Sequence, residues 1–255
     1  MELNPTELIN TIKENSKYIN GIEIAISDYY KEKDYINDLA YLCKKNNYIF
    51  QIHGNSNISK EEQINILKEI EKLSDYLNYK IHIVLHPLVS NSIKESKQLT
   101  YEYINYITDN IDNNKIIISL ENLENYNNYK NIRLGIDDIH DIVANNENIY
   151  LTYDIGHEIV QYGKVIDIKD YLIPLITNIH LHTNNNNYSD GFDHKPIYEN
   201  DHNWNIIIKS ILFLKHINYD KSIVFEYDLN ACEGNSIEEK IISYCKSIDI
   251  ISERI

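Results

Sequence analysis

Seven short runs rich in β-branched residues recur along this chain at roughly 25–45 residue intervals: GIEIAIS (21–27), NYIFQIH (47–53), KIHIVLH (80–86), KIIISLE (115–121), NIYLTYD (148–154), ITNIHLH (176–182) and KSIVFEYD (221–228). Each reads as a strand. Between them apolar residues fall at helical spacing: over 59–77, Ile64, Ile66, Leu67, Ile70 and Leu73 mark one broad face, and Ser59 with Glu62 forms a capping-box signature. The C-terminal run from Ile237 is amphipathic, with Ser236 as its candidate cap. Strict alternation of strand and helix implies an α/β fold of parallel strands joined by right-handed crossovers.

An open doubly wound sheet usually carries a glycine-rich phosphate loop after its first strand. With seven glycines in 255 residues this chain shows no such loop. The expected fold is therefore a TIM-type βα-barrel, for which about 250 residues is an ordinary length. We read residues 1–255 as one domain. The first clear element is a helix near Pro5–Tyr18, so a barrel of eight strands would be one strand short at its start. Either Met1–Asn4 forms a stub of that strand, or the gap is covered by another subunit of a homo-oligomer or by the terminal helix.

Composition narrows the classes of function. The formal charge is −15 and Arg133 and Arg254 are the only arginines, which disfavours a broad phosphate-neutralising surface and hence nucleic acid as a partner. No stretch approaches the roughly 18 apolar residues of a membrane span, and the N-terminus lacks a signal-peptide core. The three cysteines, Cys43, Cys232 and Cys245, have no short paired spacing, which fits a reducing, cytoplasmic compartment. The 22 tyrosines read as core and surface filler in a biased composition.

Chemistry is written at the strand ends. Six strands finish in a ligand-type residue: His53, His86, Glu121, Asp154, His180 or His182, and Glu226. A lone strand-end histidine or glutamate is more often a hydrogen-bonded or solvated residue than a ligand. Six together are different, because the C-terminal ends of parallel barrel strands open on one face and bring such side chains together. Imidazole with carboxylate suits a divalent ion, with zinc or manganese the best fit and cobalt, iron or magnesium also compatible, at one or two ions per chain. His82 lies deeper on its strand and reads as an interior hydrogen-bonding residue. Glu23, near the end of the first strand, is a candidate substrate contact or a structural ion-pair partner.

These segments resemble the xylose isomerase-like superfamily, which includes sugar isomerases, epimerases and endonuclease IV. The resemblance runs over most of the chain, through QIHGN (51–55), VLHPL (84–88), SLENL (119–123), YDIGH (153–157), IHLHTN (179–184), HKPIYENDHNW (194–204) and VFEYD (224–228). It implies a metal centre of Glu121, Asp154, His180 and Glu226, and a second centre of His53 and His86 with Glu121 as the bridging carboxylate. A third centre, found in the nuclease branch, would need His157, His194 and an aspartate where this chain has Phe192. His157, His194 and His182 are accordingly expected to contact substrate, and His157 to be able to shuttle protons.

The resemblance implies an isomerase or epimerase acting on a small sugar or polyhydroxy carbonyl compound through an enediolate, with Glu121 or Glu226 as the base. It departs from the epimerase branch after the Glu121 and His180 strands. That branch places a second glutamate and an arginine there, whereas this chain reads ENYNNY (124–129) and NNNNYS (184–189). The alternative is phosphodiester hydrolysis of the endonuclease IV type, which the retained His53 and His86 favour and Phe192 opposes. A non-catalytic metal-binding member of the superfamily is the third reading.

Overall fold

All seven runs are strands in the computed structural model, which describes residues 3–55, 58–124, 133–164, 168, 170–184 and 194–254. The strands are β1 (Gly21–Ala25), β2 (Ile49–His53), β3 (Ile81–Leu85), β4 (Ile116–Glu121), β5 (Ile149–Asp154), β6 (Ile176–Leu181) and β7 (Ser222–Phe225). They follow chain order in the sheet, and the pairs from β1 to β5 are parallel. Helix α1 (Pro5–Asn15) precedes β1. After it come α2 (Tyr29–Lys45), α3 (Lys60–Leu77), α4 (Ile93–Thr108), α5 (Ile136–Val143), α6 (Ile155–Tyr162), α7 (Trp204–His216) and α8 (Ile237–Ser252).

The chain divides into two compact units. The first comprises Gly21–Tyr153 and Ile168–Asn178, the second Met1–Asn20, Asp154–Asp167 and Ile179–Ile255.

In the first unit, every residue of β3 is buried. This is the burial expected of a parallel strand covered on both faces. The register places Glu23 opposite Gln51, Gln51 opposite His82, Val84 opposite Ser119, and Glu121 opposite Thr152. Because side chains alternate along a strand, these residues share one face of the sheet. The other face carries Ile52, Ile83, Ile118 and Leu151, all buried. Helices α2 and α3 bury Ile36, Leu39, Leu67 and Ile70, and Ser59 caps α3 by accepting from the Glu62 N–H at 3.2 Å.

In the second unit, α1 packs against α8. Asn4 and Glu7 form a capping box that starts α1, so no strand stub exists at Asn4, and Met1 and Glu2 lie outside the described residues. Ser16, at the other end of α1, hydrogen-bonds Asp249 of α8. Ser236 and Glu239 form a full capping box on α8. Among the described residues no helix is long and apolar enough to cross a membrane.

Candidate functional site

In the first unit the ends of β2, β3 and β4 bring His53, His86 and Glu121 together. The Glu121 carboxylate is fully buried, with its Oε2 2.9 Å from His53 Nε2 and 3.3 Å from His86 Nε2. The two imidazoles meet edge to face with centroids 4.8 Å apart. His86 lies one residue past the end of β3 and is the more accessible of the pair. These are the three residues expected to form a second centre.

Deeper on the same sheet face runs a buried polar ladder. Gln51 Nε2 donates to His82 Nδ1 at 3.1 Å, so the neutral imidazole carries its proton on Nε2. That Nε2 donates to Ser119 Oγ at 2.8 Å, and Ser119 is 2.6 Å from Thr152 Oγ1. His82 is thus an interior hydrogen-bonding residue. Glu23 accepts from Asn178 Nδ2 at 3.2 Å. Glu124, buried just after β4, is paired with Arg133.

In the second unit Asp154 is the organising residue. It ends β5 and also caps α6, its Oδ1 accepting from the His157 N–H at 2.8 Å, so strand passes into helix without a loop. Three imidazoles surround its fully buried carboxylate. His182 Nε2 is 3.2 Å from Oδ1, His157 Nδ1 is 3.6 Å from Oδ2, and His180 Nδ1 is 3.9 Å from Oδ2. His180 Nδ1 is also 2.8 Å from Glu226 Oε2, which lies 3.6 Å from His194 Nε2. The Glu226 N–H donates to the Leu181 carbonyl at 3.2 Å, fixing its backbone beside the end of β6.

The donor types fit a divalent transition ion. Carboxylates buried as completely as Glu121 and Asp154 are costly as bare anions, and each is ringed by imidazole nitrogens. Nitrogen and oxygen donors in such mixed sets are what zinc, manganese, iron and cobalt accept.

The residue whose position the sequence least foretold is His182. It shares strand parity with His180, and it sits beside Asp154 and His194, stacked on the latter with centroids 4.1 Å apart. No periodicity signals this, because it depends on an isolated antiparallel bridge between Thr183 and Lys195. Phe192, Asp190 and Asp193 lie outside the described residues.

Comparison with known proteins gives a family. Residues 17–245 match the family described as xylose isomerase-like TIM barrel. Among curated proteins none matches. A solved D-tagatose 3-epimerase-like protein is 22% identical, with 92% of this chain and 88% of that one covered at a TM-score of 0.66. A D-psicose 3-epimerase solved in the presence of D-fructose is 16% identical, with 98% and 92% covered and a TM-score of 0.65. The AP endonuclease, family 2, from Brucella melitensis is 12% identical, with 92% and 90% covered and a TM-score of 0.60. At such identities these structures establish the fold, and the match over residues 17–245 places the chain in the xylose isomerase-like TIM-barrel family.

Proposed function

We propose that this chain is a metal-dependent isomerase or epimerase acting on a small sugar or polyhydroxy carbonyl compound. The observation that carries the reading is the buried His180 with Glu226 at 2.8 Å and Asp154 at 3.9 Å from one ring nitrogen. Asp154, His180 and Glu226, with Glu121 added on the sequence pattern, would hold a divalent ion, which would supply Lewis-acid polarisation of a substrate carbonyl. Zinc or manganese suits these donors best.

Burial separates the roles. Asp154 and His180 are fully enclosed and serve to hold, whereas the Glu226 side chain is 26% exposed and can meet a substrate entering from solvent. Glu226 is therefore assigned as the base that takes the proton next to the carbonyl. Inversion at that carbon needs a second proton carrier, and Glu121 is assigned to it. Glu23, already accepting from Asn178, is assigned a substrate hydroxyl through its remaining acceptor capacity. The buried thiols of Cys43, Cys232 and Cys245 accord with a cytoplasmic location.

A second reading, phosphodiester hydrolysis, is favoured by one observation: His53, His86 and Glu121 are gathered as a further set of nitrogen and oxygen donors. The cationic side of phosphate recognition is poor, since Arg133 is paired with Glu124 and Arg254 with Glu199. Metal-reconstituted protein assayed on a ketose panel and on duplex DNA containing an abasic site tests both. Sugar interconversion with intact DNA is expected; DNA cleavage without interconversion overturns the assignment.

A further inference from the structure

We propose that the cavity between α3 and the apolar face of β2 and β3 binds a small neutral molecule of phenol size, apolar in body and carrying one O–H or N–H donor. The cavity has a volume of about 190 Å3 and its walls belong wholly to the first unit. Its inner wall is made by Ile52 of β2, Ile83 of β3 and Ile66 and Ile70 of α3, all buried. Ile52 and Ile83 pair on the sheet face opposite the one that carries Gln51, His82 and Glu121. The cavity is therefore separate from the strand-end histidines and carboxylates.

The sequence of α3 places an amide among these isoleucines. Gln63, Ile66 and Ile70 fall at i, i+3 and i+7, along one stripe of the helix. Gln63 thus stands where the pattern calls for an apolar side chain, and it is only 2% exposed. Its Oε1 is buried and accepts no hydrogen bond from any described residue. A buried amide oxygen without a donor is costly, and native structures nearly always supply one. Gln63 lines the cavity, so a donor seated there completes it.

Size and charge set the class of ligand. An aliphatic cavity of about 150 Å3 holds benzene, so this one suits an aromatic ring with one small substituent. The solvent side carries Ser27, Asp28, Asn55 and Glu62, each exposed or half-buried. Two carboxylates at the mouth disfavour an anion, and a charged amine would have to shed its water against the isoleucine wall. Asp28 is occupied in capping α2 and pairs with Lys31 at 2.6 Å. Asn55 Nδ2 donates to the Ser27 carbonyl at 3.1 Å, which ties the end of β2 to the turn after β1 across the mouth. The buried Gln63 oxygen is left as the acceptor, and a single donor on an apolar body is its match.

Calorimetric titration of the folded protein with phenol and with toluene, nearly equal in size but without a donor, tests the site. Phenol is expected to bind saturably. In Gln63→Leu the phenol affinity should fall about tenfold, the equivalent of one hydrogen bond, while toluene binding is kept or strengthened. Circular dichroism checks the fold of the variant, and Gln63→Met, closer to glutamine in shape, makes the same comparison if Gln63→Leu does not fold. Absence of saturable phenol binding, or a folded variant in which phenol and toluene respond alike, overturns the site. Because the cavity lies on the opposite sheet face from Glu121, the result is independent of whether the protein interconverts sugars.

Discussion

The imidazole of His182 fills the space over Gly156, whose added β-carbon would stand 2.3 Å from the ring. Gly156 lies in the first turn of α6, where alanine in place of glycine ordinarily favours a helix by up to about 1 kcal/mol. Here the ring is fully buried, stacked on His194 and beside Asp154, so it cannot swing clear. Overpacking of this kind costs about 1–3 kcal/mol. Gly156→Ala is expected to lower the urea unfolding midpoint; a raised midpoint contradicts the packing.

His82 supports the sheet by accepting from Gln51 and donating to Ser119. His82→Ala leaves two buried polar groups without that partner, each worth about 1–3 kcal/mol. The expected loss is about 2–4 kcal/mol by equilibrium denaturation. The metal content of the folded protein should be unchanged, because His82 lies below the strand-end donors. Loss of an ion on this substitution would show that His82 is a ligand.

Burial pushes the thiols of Cys43 and Cys245 up to about 12 and that of Cys232 up to about 11. The thiolate is the reactive form, so at pH 8 on the order of one thiol in a thousand or fewer is poised to react. An aromatic disulfide reagent is expected to modify none promptly in the native state and all three in denaturant. Prompt reaction of one equivalent in the folded protein contradicts the burial.

Glu69 links α2 and α3. Hydrogen bonds from Lys33, at 2.6 Å, and from Lys72 hold its carboxyl down to about 2. A depressed carboxyl stabilises the fold above its unfolded value near 4.5, and that contribution fades as pH falls through about 2. At pH 7 Glu69→Gln is expected to cost up to about 1 kcal/mol, since the network is partly exposed. The gap to the wild type should narrow below pH 4.5 and close near pH 2; a gap independent of pH would rule out the ion pairs as its source.

The parts of the fold legible in the sequence are those that a single strand or helix decides. Runs rich in β-branched residues announced β3 and β4, since such side chains fit a covered strand. Ser236 announced the start of α8, where it forms a capping box with Glu239. At the site, His53, His86 and Glu121 could be grouped because parallel strands align their ends. His182 beside Asp154 and His194 was not legible in the same way. That arrangement comes from the Thr183–Lys195 bridge, the left-handed backbone at His194 and the missing β-carbon at Gly156, all properties of residues distant in sequence.

The central claim is that Glu226, beside His180, moves a proton at a carbon next to a sugar carbonyl. Solvent deuterium entering a ketose panel, followed by proton NMR with metal-reconstituted protein, tests this most directly. The account predicts exchange at a carbon adjacent to the carbonyl in at least one ketose, abolished by Glu226→Gln in a protein that keeps its fold. Exchange that persists undiminished in Glu226→Gln, or no exchange in any ketose alongside cleavage of abasic DNA, would contradict it.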